Sequence, residues 1–439
     1  MARGADPPFG AGVEEVAGSG RLRRAFLPLR HRGFAIFWTA GLISNTFSWL
    51  SALAVPFVLF QLTGSALWVA AATVAEFLPS IALGPVAGAL ADRFDRRRLL
   101  LVTQGGAAIS AVALWIEWIA GVDEPLWLLA PVLAFGAFEA VNLPAWQAIV
   151  PDLLPRDQLR SGVSVNSMQY NASRAIGPAV AGLLLATVGV SWVFLLNATS
   201  FVAAVALLVF VRPVHPQRRS ETARHPLRQF ARATRHVLTR PGLLIVVVVS
   251  ALFGLFGNPV YSLTIILAEE VLRVDPVGLG FMNAMLGLGS VIGAAVLTWT
   301  EREVRLSRAV AIGIGGLALC LFLLGFVSGY GAVLALLFAA GVALIWMMAG
   351  VNTALQLMVP DASRGRAIAV RITALRASIP LGALMTGYIA EHLGVQWSLT
   401  ICGIAIGAVL LVLFLVPRGI DRLDDPPETG EQREAPPRA

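Results

Sequence analysis

The chain is divided into apolar blocks near 34–62, 67–90, 99–120, 126–149, 163–188 and 192–211, then 242–267, 277–298, 309–328, 330–358, 367–390 and 395–416. A helix needs about 20 apolar residues to cross a bilayer's hydrocarbon layer, whereas a barrel strand needs only about 10. In lipid every backbone N–H and C=O must be satisfied internally, which a helix of that length does within its own segment. The pattern therefore predicts an all-α membrane protein of twelve transmembrane helices. Composition excludes the alternatives: 57% of the 439 residues are hydrophobic and 13% charged, about half the charge of a soluble domain.

The basic residues narrow the chemistry. All 33 are Arg, because the chain has no Lys. A phosphate-binding loop of the Walker type requires its Lys, so neither that ATPase chemistry nor Schiff-base chemistry is available. Cys320 and Cys402 stand far apart in apolar blocks and read as packed thiols. Of the five His, His215, His225 and His236 share one polar loop without ligand spacing. No metal or other cofactor is expected, and no clustered nucleophile, base and orienting acid suggests an enzyme. The net charge of +7 belongs to loops between membrane spans and does not point to nucleic acid.

Arg placement predicts direction. Arg21, Arg23, Arg24, Arg30 and Arg32 precede the first block, and Arg93, Arg96, Arg97 and Arg98 follow the second. Arg156, Arg160, eight Arg between Arg212 and Arg240, then Arg302, Arg305, Arg308, Arg364 and Arg366 fall on the same side. The other side has only Arg273, beside Glu269, Glu270 and Asp275. By the positive-inside rule both termini are cytoplasmic, and Trp68, Trp118, Trp127, Trp192 and Trp397 mark the outer interface. Residues 1–20 are polar, and no cleavable signal is visible.

The expected organisation is a cytoplasmic tail over 1–33, a six-helix bundle over 34–211, a linker over 212–241, a second bundle over 242–416 and a disordered tail over 417–439. In the linker, 226–240 reads as an amphipathic helix with Leu227, Phe230, Thr234 and Val237 on one face. We expect it to lie on lipid headgroups, with a regulatory docking site as the alternative. The two bundles repeat one another. Trp146–Asp152 matches Leu355–Asp361, Arg174–Pro178 matches Arg376–Pro380, Gly189–Trp192 matches Gly394–Trp397, and Gly84–Gly88 matches Gly289–Gly293. Offsets of 202 to 209 in unbroken order indicate an internal duplication, a mark of transporters whose substrate site lies between the halves.

The segment Gly88-Ala-Leu-Ala-Asp92-Arg93-Phe94-Asp95-Arg96-Arg97 resembles the cytoplasmic loop signature of the major facilitator superfamily. Arg174-Ala-Ile-Gly177-Pro178 through Gly182 resembles the Gly-Pro antiporter motif of its exporters. Arg32-Gly-Phe34 through Trp38 and Pro144-Ala-Trp-Gln147 through Asp152 are similar to the enterobactin-exporter and macrolide-efflux branch. The resemblance covers nearly all of 30–416. It implies two pseudo-symmetric bundles, a gating role for Gly88, Asp92, Arg93, Arg96, Arg97, Gly177 and Pro178, and a latch from Asp92 to the start of the eleventh block around Ser363 to Ala367. Asp95 stands where many relatives carry Gly, a position suited to a left-handed turn, which Asp tolerates. The second-half counterpart around Glu301, Arg302 and Arg305 has lost the pattern.

Charges inside spans cost at least about 2.5 kcal/mol at the membrane centre and mark function. Glu139, about 20 Å deep at 1.5 Å per residue, and Arg174 are expected to pair across a central cavity, with Glu76 and Arg376 at similar depth. Glu139 or Glu76 would carry a proton; a permanent structural pair and direct substrate binding are the alternatives. Asn45, Gln169, Asn171, Asn258, Trp346 and Arg376 are candidate cavity residues, with Asn166, Tyr170, Asn283, Phe47, Phe256, Met347 and Met348 beside them. A mostly apolar pocket of this kind suits an amphipathic molecule. The expected function is export of a drug- or siderophore-type molecule by proton antiport, by a monomer in the cell membrane. The alternatives are an importer or lipid transporter of the same fold, and a membrane scaffold or sensor.

Overall fold

A computed structural model describes residues 26–213, 226–300 and 304–425. The tail before residue 26, linker residues 214–225, the Glu301 and Arg302 positions and the end beyond residue 425 lie outside the described residues. So does the side chain of Asp92.

The described chain is nearly all helix. Helices α1 (Arg32–Thr63), α2 (Ala66–Arg93), α3 (Arg96–Ile119), α4 (Pro125–Leu153), α5 (Leu159–Thr187) and α6 (Val190–Val209) come first. A short α7 (Pro226–Thr239) follows, then α8 (Pro241–Leu272), α9 (Pro276–Thr300), α10 (Leu306–Leu324), α11 (Tyr330–Met358), α12 (Asp361–Leu393) and α13 (Val395–Leu415). Eleven of them are long and apolar enough to cross a membrane. The exception among the long ones is α5, whose N-terminal half carries Asn166, Gln169, Asn171 and Arg174. Large apolar side chains such as Ile109, Trp299 and Leu415 are more than 70% exposed, which only a hydrocarbon environment accommodates without cost.

Short, defined turns separate the helices. Gly64 adopts φ 62° and closes α1, and Ser65 caps α2 by accepting from the Leu67 N–H at 3.2 Å. Asp95 corrects an expectation. Its φ is −58°, not left-handed, and its carboxylate caps α3 by accepting from the Arg98 N–H at 2.8 Å. An acceptor is therefore what the turn needs. Within α8 the ladder widens over Phe253–Gly257, ahead of Pro259, which has no N–H to donate.

Helices α1–α6 pack mainly on one another, and α8–α13 do the same. The two sets meet chiefly along α2 with α12 and α5 with α9. At the arginine-poor end these contacts are backbone-close. A Cβ on Gly182 would fall 2.5 Å from the Cα of Gly280, and one on Gly387 would fall 2.7 Å from the Cβ of Ala70. Toward the arginine-rich end, Gly84 and Gly88 of α2 and Gly365 of α12 have nothing within 4 Å of the equivalent position. Among the described residues, the backbone-close contacts between the sets thus fall at the arginine-poor end.

Helix α7 also departs from expectation. It does not simply rest on lipid but docks on α2, α8 and α12, touching both sets. Val237 is buried, with Phe230 and Ala233 packed against the same core, while Arg232 and Arg235 are exposed. The apolar face found in the sequence is real; protein covers it. Leu227's side chain is outside the described residues.

Candidate functional site

Between the two sets lies a cavity of about 210 Å³. Its walls come from α1–α6 together with α8 and α12. Three charged residues reach it: Glu76 on α2, Glu139 on α4 and Arg376 on α12. Gly136 explains how the carboxyls come together. It sets α4 directly against the backbone carbonyl of Glu76, and Glu139 follows one turn later. The Glu139 carboxylate accepts from Asn142 Nδ2 at 3.1 Å. Arg376 donates to Ser80 Oγ at 3.2 Å, its guanidinium 6.0 Å from the Phe77 ring centroid, and its charge acts on both carboxylates.

The expected Glu139–Arg174 pair does not form. Arg174 donates through Nε to the Tyr261 phenol oxygen at 3.0 Å, and its terminal nitrogen donates to the same atom. Its guanidinium lies 5.6 Å from the Trp49 ring centroid and 5.3 Å from that of Tyr261. Gly177, one turn on, brings α5 against α1 so closely that a Cβ would fall 2.6 Å from Trp49 Cβ. Trp49 therefore comes beside Arg174. The cation shared by the two acids is Arg376, the repeat counterpart of Arg174. Each arginine reaches the opposite set: Arg174 to Tyr261, Arg376 to Ser80.

Other predicted residues divide. Asn45, Tyr170 and Asn258 line the cavity. Gln169 is buried behind it, accepting from Asn45 Nδ2 at 3.4 Å and donating to Ser173 Oγ at 3.2 Å. Asn171 faces away and donates to the Ser167 carbonyl at 2.8 Å. Trp346 ties α11 to α9 through the Gly293 carbonyl at 3.0 Å. Both leave the cavity list, because each amide or indole N–H is used where its own helix face points.

Arg96 donates to Asp152 Oδ1 and Oδ2, both at 3.0 Å, and to the Ala148 carbonyl at 2.9 Å, joining α3 to α4. Arg97 donates to the Val209 carbonyl of α6. Both fasten α3 to its own set. Arg93 is exposed, 5.9 Å from the Phe94 ring centroid, and Pro178 is buried within α5.

Trp49, Phe77, Phe135, Asn197, Tyr261 and Ser262 line the cavity unanticipated. A signal existed for two of them: Trp49 follows Asn45 by four residues and Tyr261 follows Asn258 by three, so each shares its partner's helix face.

The sequence profile of the transmembrane secretion effector family, a major facilitator family, matches residues 23–429. The chain is 30% identical over 400 residues to the uncharacterized MFS-type transporter YfiS of Bacillus subtilis, covering 87% of this chain and 93% of that protein. Macrolide efflux protein A of Streptococcus pyogenes is 23% identical, with 86% of this chain and 94% of that protein aligned. Enterobactin exporter EntS of Escherichia coli is 28% identical, with 88% and 92% aligned. In fold the chain resembles a POT family transporter, with TM-score 0.72 and 13% identity over 89% of this chain and 96% of that one. The D-xylose–proton symporter gives TM-score 0.66 and 17% identity over 91% and 99%. The chain is a multi-pass membrane transporter of the major facilitator superfamily, in its transmembrane secretion effector family.

Proposed function

We propose that this transporter exports an amphipathic small molecule in exchange for protons. The observation that carries the reading is the cavity itself. Glu76, Glu139 and Arg376 stand on its wall among Trp49, Phe77, Phe135, Tyr170 and Tyr261. The aromatic and aliphatic walls suit an apolar body, while the Ser, Thr and Asn groups orient a polar part. The Arg376 charge acts on both carboxyls, so a proton on either changes the net charge the site presents to a substrate. Alternating exposure of that site would move proton and substrate in opposite directions. The efflux proteins among the relatives support export, and the arginine distribution supports cytoplasmic termini in the plasma membrane.

The reading divides the chain into bundles at 34–211 and 242–416, α5 completing twelve crossings, with a monomer as the working unit. Everted membrane vesicles test it. Uptake of cationic, neutral and anionic amphipathic compounds is followed with and without an imposed proton gradient. Gradient-dependent uptake of at least one class is expected; gradient-independent movement of all of them would overturn the antiport reading.

A further inference from the structure

At the arginine-poor end, the last turn of α12 meets the first turn of α2. One carboxylate oxygen of Glu391, Oε2, accepts from the Ala66 N–H at 2.6 Å, from Ser65 Oγ at 3.0 Å and from the Leu67 N–H at 3.4 Å. Ala66 and Leu67 open α2, where backbone N–H groups have no partner inside the helix and the helix dipole is positive. Ser65 can satisfy Leu67 alone; the Ala66 N–H is satisfied from the other set. One turn back, Gly387 presses on Ala70 and on the Ala66 carbonyl, holding Glu391 within reach. Glu270 of α8 lies within electrostatic reach of Glu391, and this like charge opposes the contact.

The geometry points to Glu391 as the latch that keeps the arginine-poor end shut, a positioning residue for the transport cycle. The inference rests on the alternating-access reading above. Helices α2 and α12 run antiparallel, so each starts where the other ends. Asp92 near the end of α2 was expected to hold the start of α12, and Glu391 near the end of α12 holds the start of α2. The pair thus carries a carboxylate near each end in sequence, and Glu391 is the one whose contacts the described residues show. Opening the arginine-poor end requires Glu391 to release Ala66 to water. Release exchanges protein hydrogen bonds for water at a small net cost, so the latch is weak enough to cycle.

The test is a distance distribution in the full chain. Spin labels on Leu62→Cys and Leu393→Cys, both exposed, report the separation of the sets at this end. Cys320 and Cys402 are buried, which directs labelling to the introduced sites. Reconstituted protein is measured with and without a proton gradient. Glu391→Gln removes the charge, and we expect about a five- to ten-fold rise in the open-to-closed ratio, the size of a lost helix cap. Ala66→Pro is the second variant, because it deletes the donor while Pro at the first helical position preserves α2. Ser65, extended at ψ 127°, already suits a following Pro. The same shift is expected from it. If the parent shows two populations and neither variant redistributes them, the latch is overturned while alternating access stands. A parent with a single short distance under every condition overturns both.

Discussion

Arg174 and Tyr261 are joined across the two helix sets, guanidinium to phenol oxygen at 3.0 Å, with the Trp49 ring on the same cation. The contact keeps a full charge in the membrane interior without a carboxylate partner, by one oxygen and two ring faces. Tyr261→Phe would keep a ring face and remove the oxygen. We expect a loss of stability of about 1–3 kcal/mol and impaired transport. Thermal unfolding in detergent and vesicle uptake measure the two effects. Unchanged values in both would show that the rings alone hold Arg174.

The carboxyls on the cavity wall should be separable. Glu139→Gln and Glu76→Gln each preserve shape and cannot titrate. The variant at the proton-carrying site should lose gradient-driven uptake yet still exchange substrate down its own gradient. Either change leaves Arg376 with one counter-charge, so Arg376→Gln is added to separate charge balance from coupling. Restored folding without restored coupling identifies the proton carrier.

Replacing Gly182 or Gly280 by Ala should be costly, because a Cβ there has backbone 2.5 to 2.8 Å away. The sets would have to part at that end, at about 1–3 kcal/mol for an overpacked contact. Cross-linking yield between α5 and α9 should fall for either variant and fall no further for the two combined. An undiminished yield would contradict the close approach.

Direction is checked with an impermeant thiol reagent. A Cys at Asp123 should react from outside intact cells, and one at Thr239 only after the cells are opened. Both positions are exposed, so access to the reagent depends on side alone. The reverse pattern would invert the orientation and turn export into import.

Helix positions were legible because a crossing leaves a long apolar run, and the repeat was legible because four short matches keep one order. Partner choice was not. Arg174 and Glu139 share similar depth on sequence-adjacent helices, but depth does not set the angle around the helix axis, and Arg174 turns to α8. The repeat held the better clue, since it set Arg376 in the equivalent place. For α7, the amphipathic face was readable but its cover was not: lipid and protein satisfy Val237 equally. Close glycine contacts stay silent in sequence because Gly182 resembles any other glycine in a helix.

In an alternating-access cycle, Gly182 and Gly280 would serve as a fulcrum. They lie near the arginine-poor end of α5 and α9, where the two backbones meet directly. From Gly182 to the start of α5 the helix extends about 35 Å at 1.5 Å per residue, so a tilt of roughly 10° displaces the far end by about 6 Å. A long helix turning about such a close contact would convert a small roll at one face of the membrane into a doorway at the other.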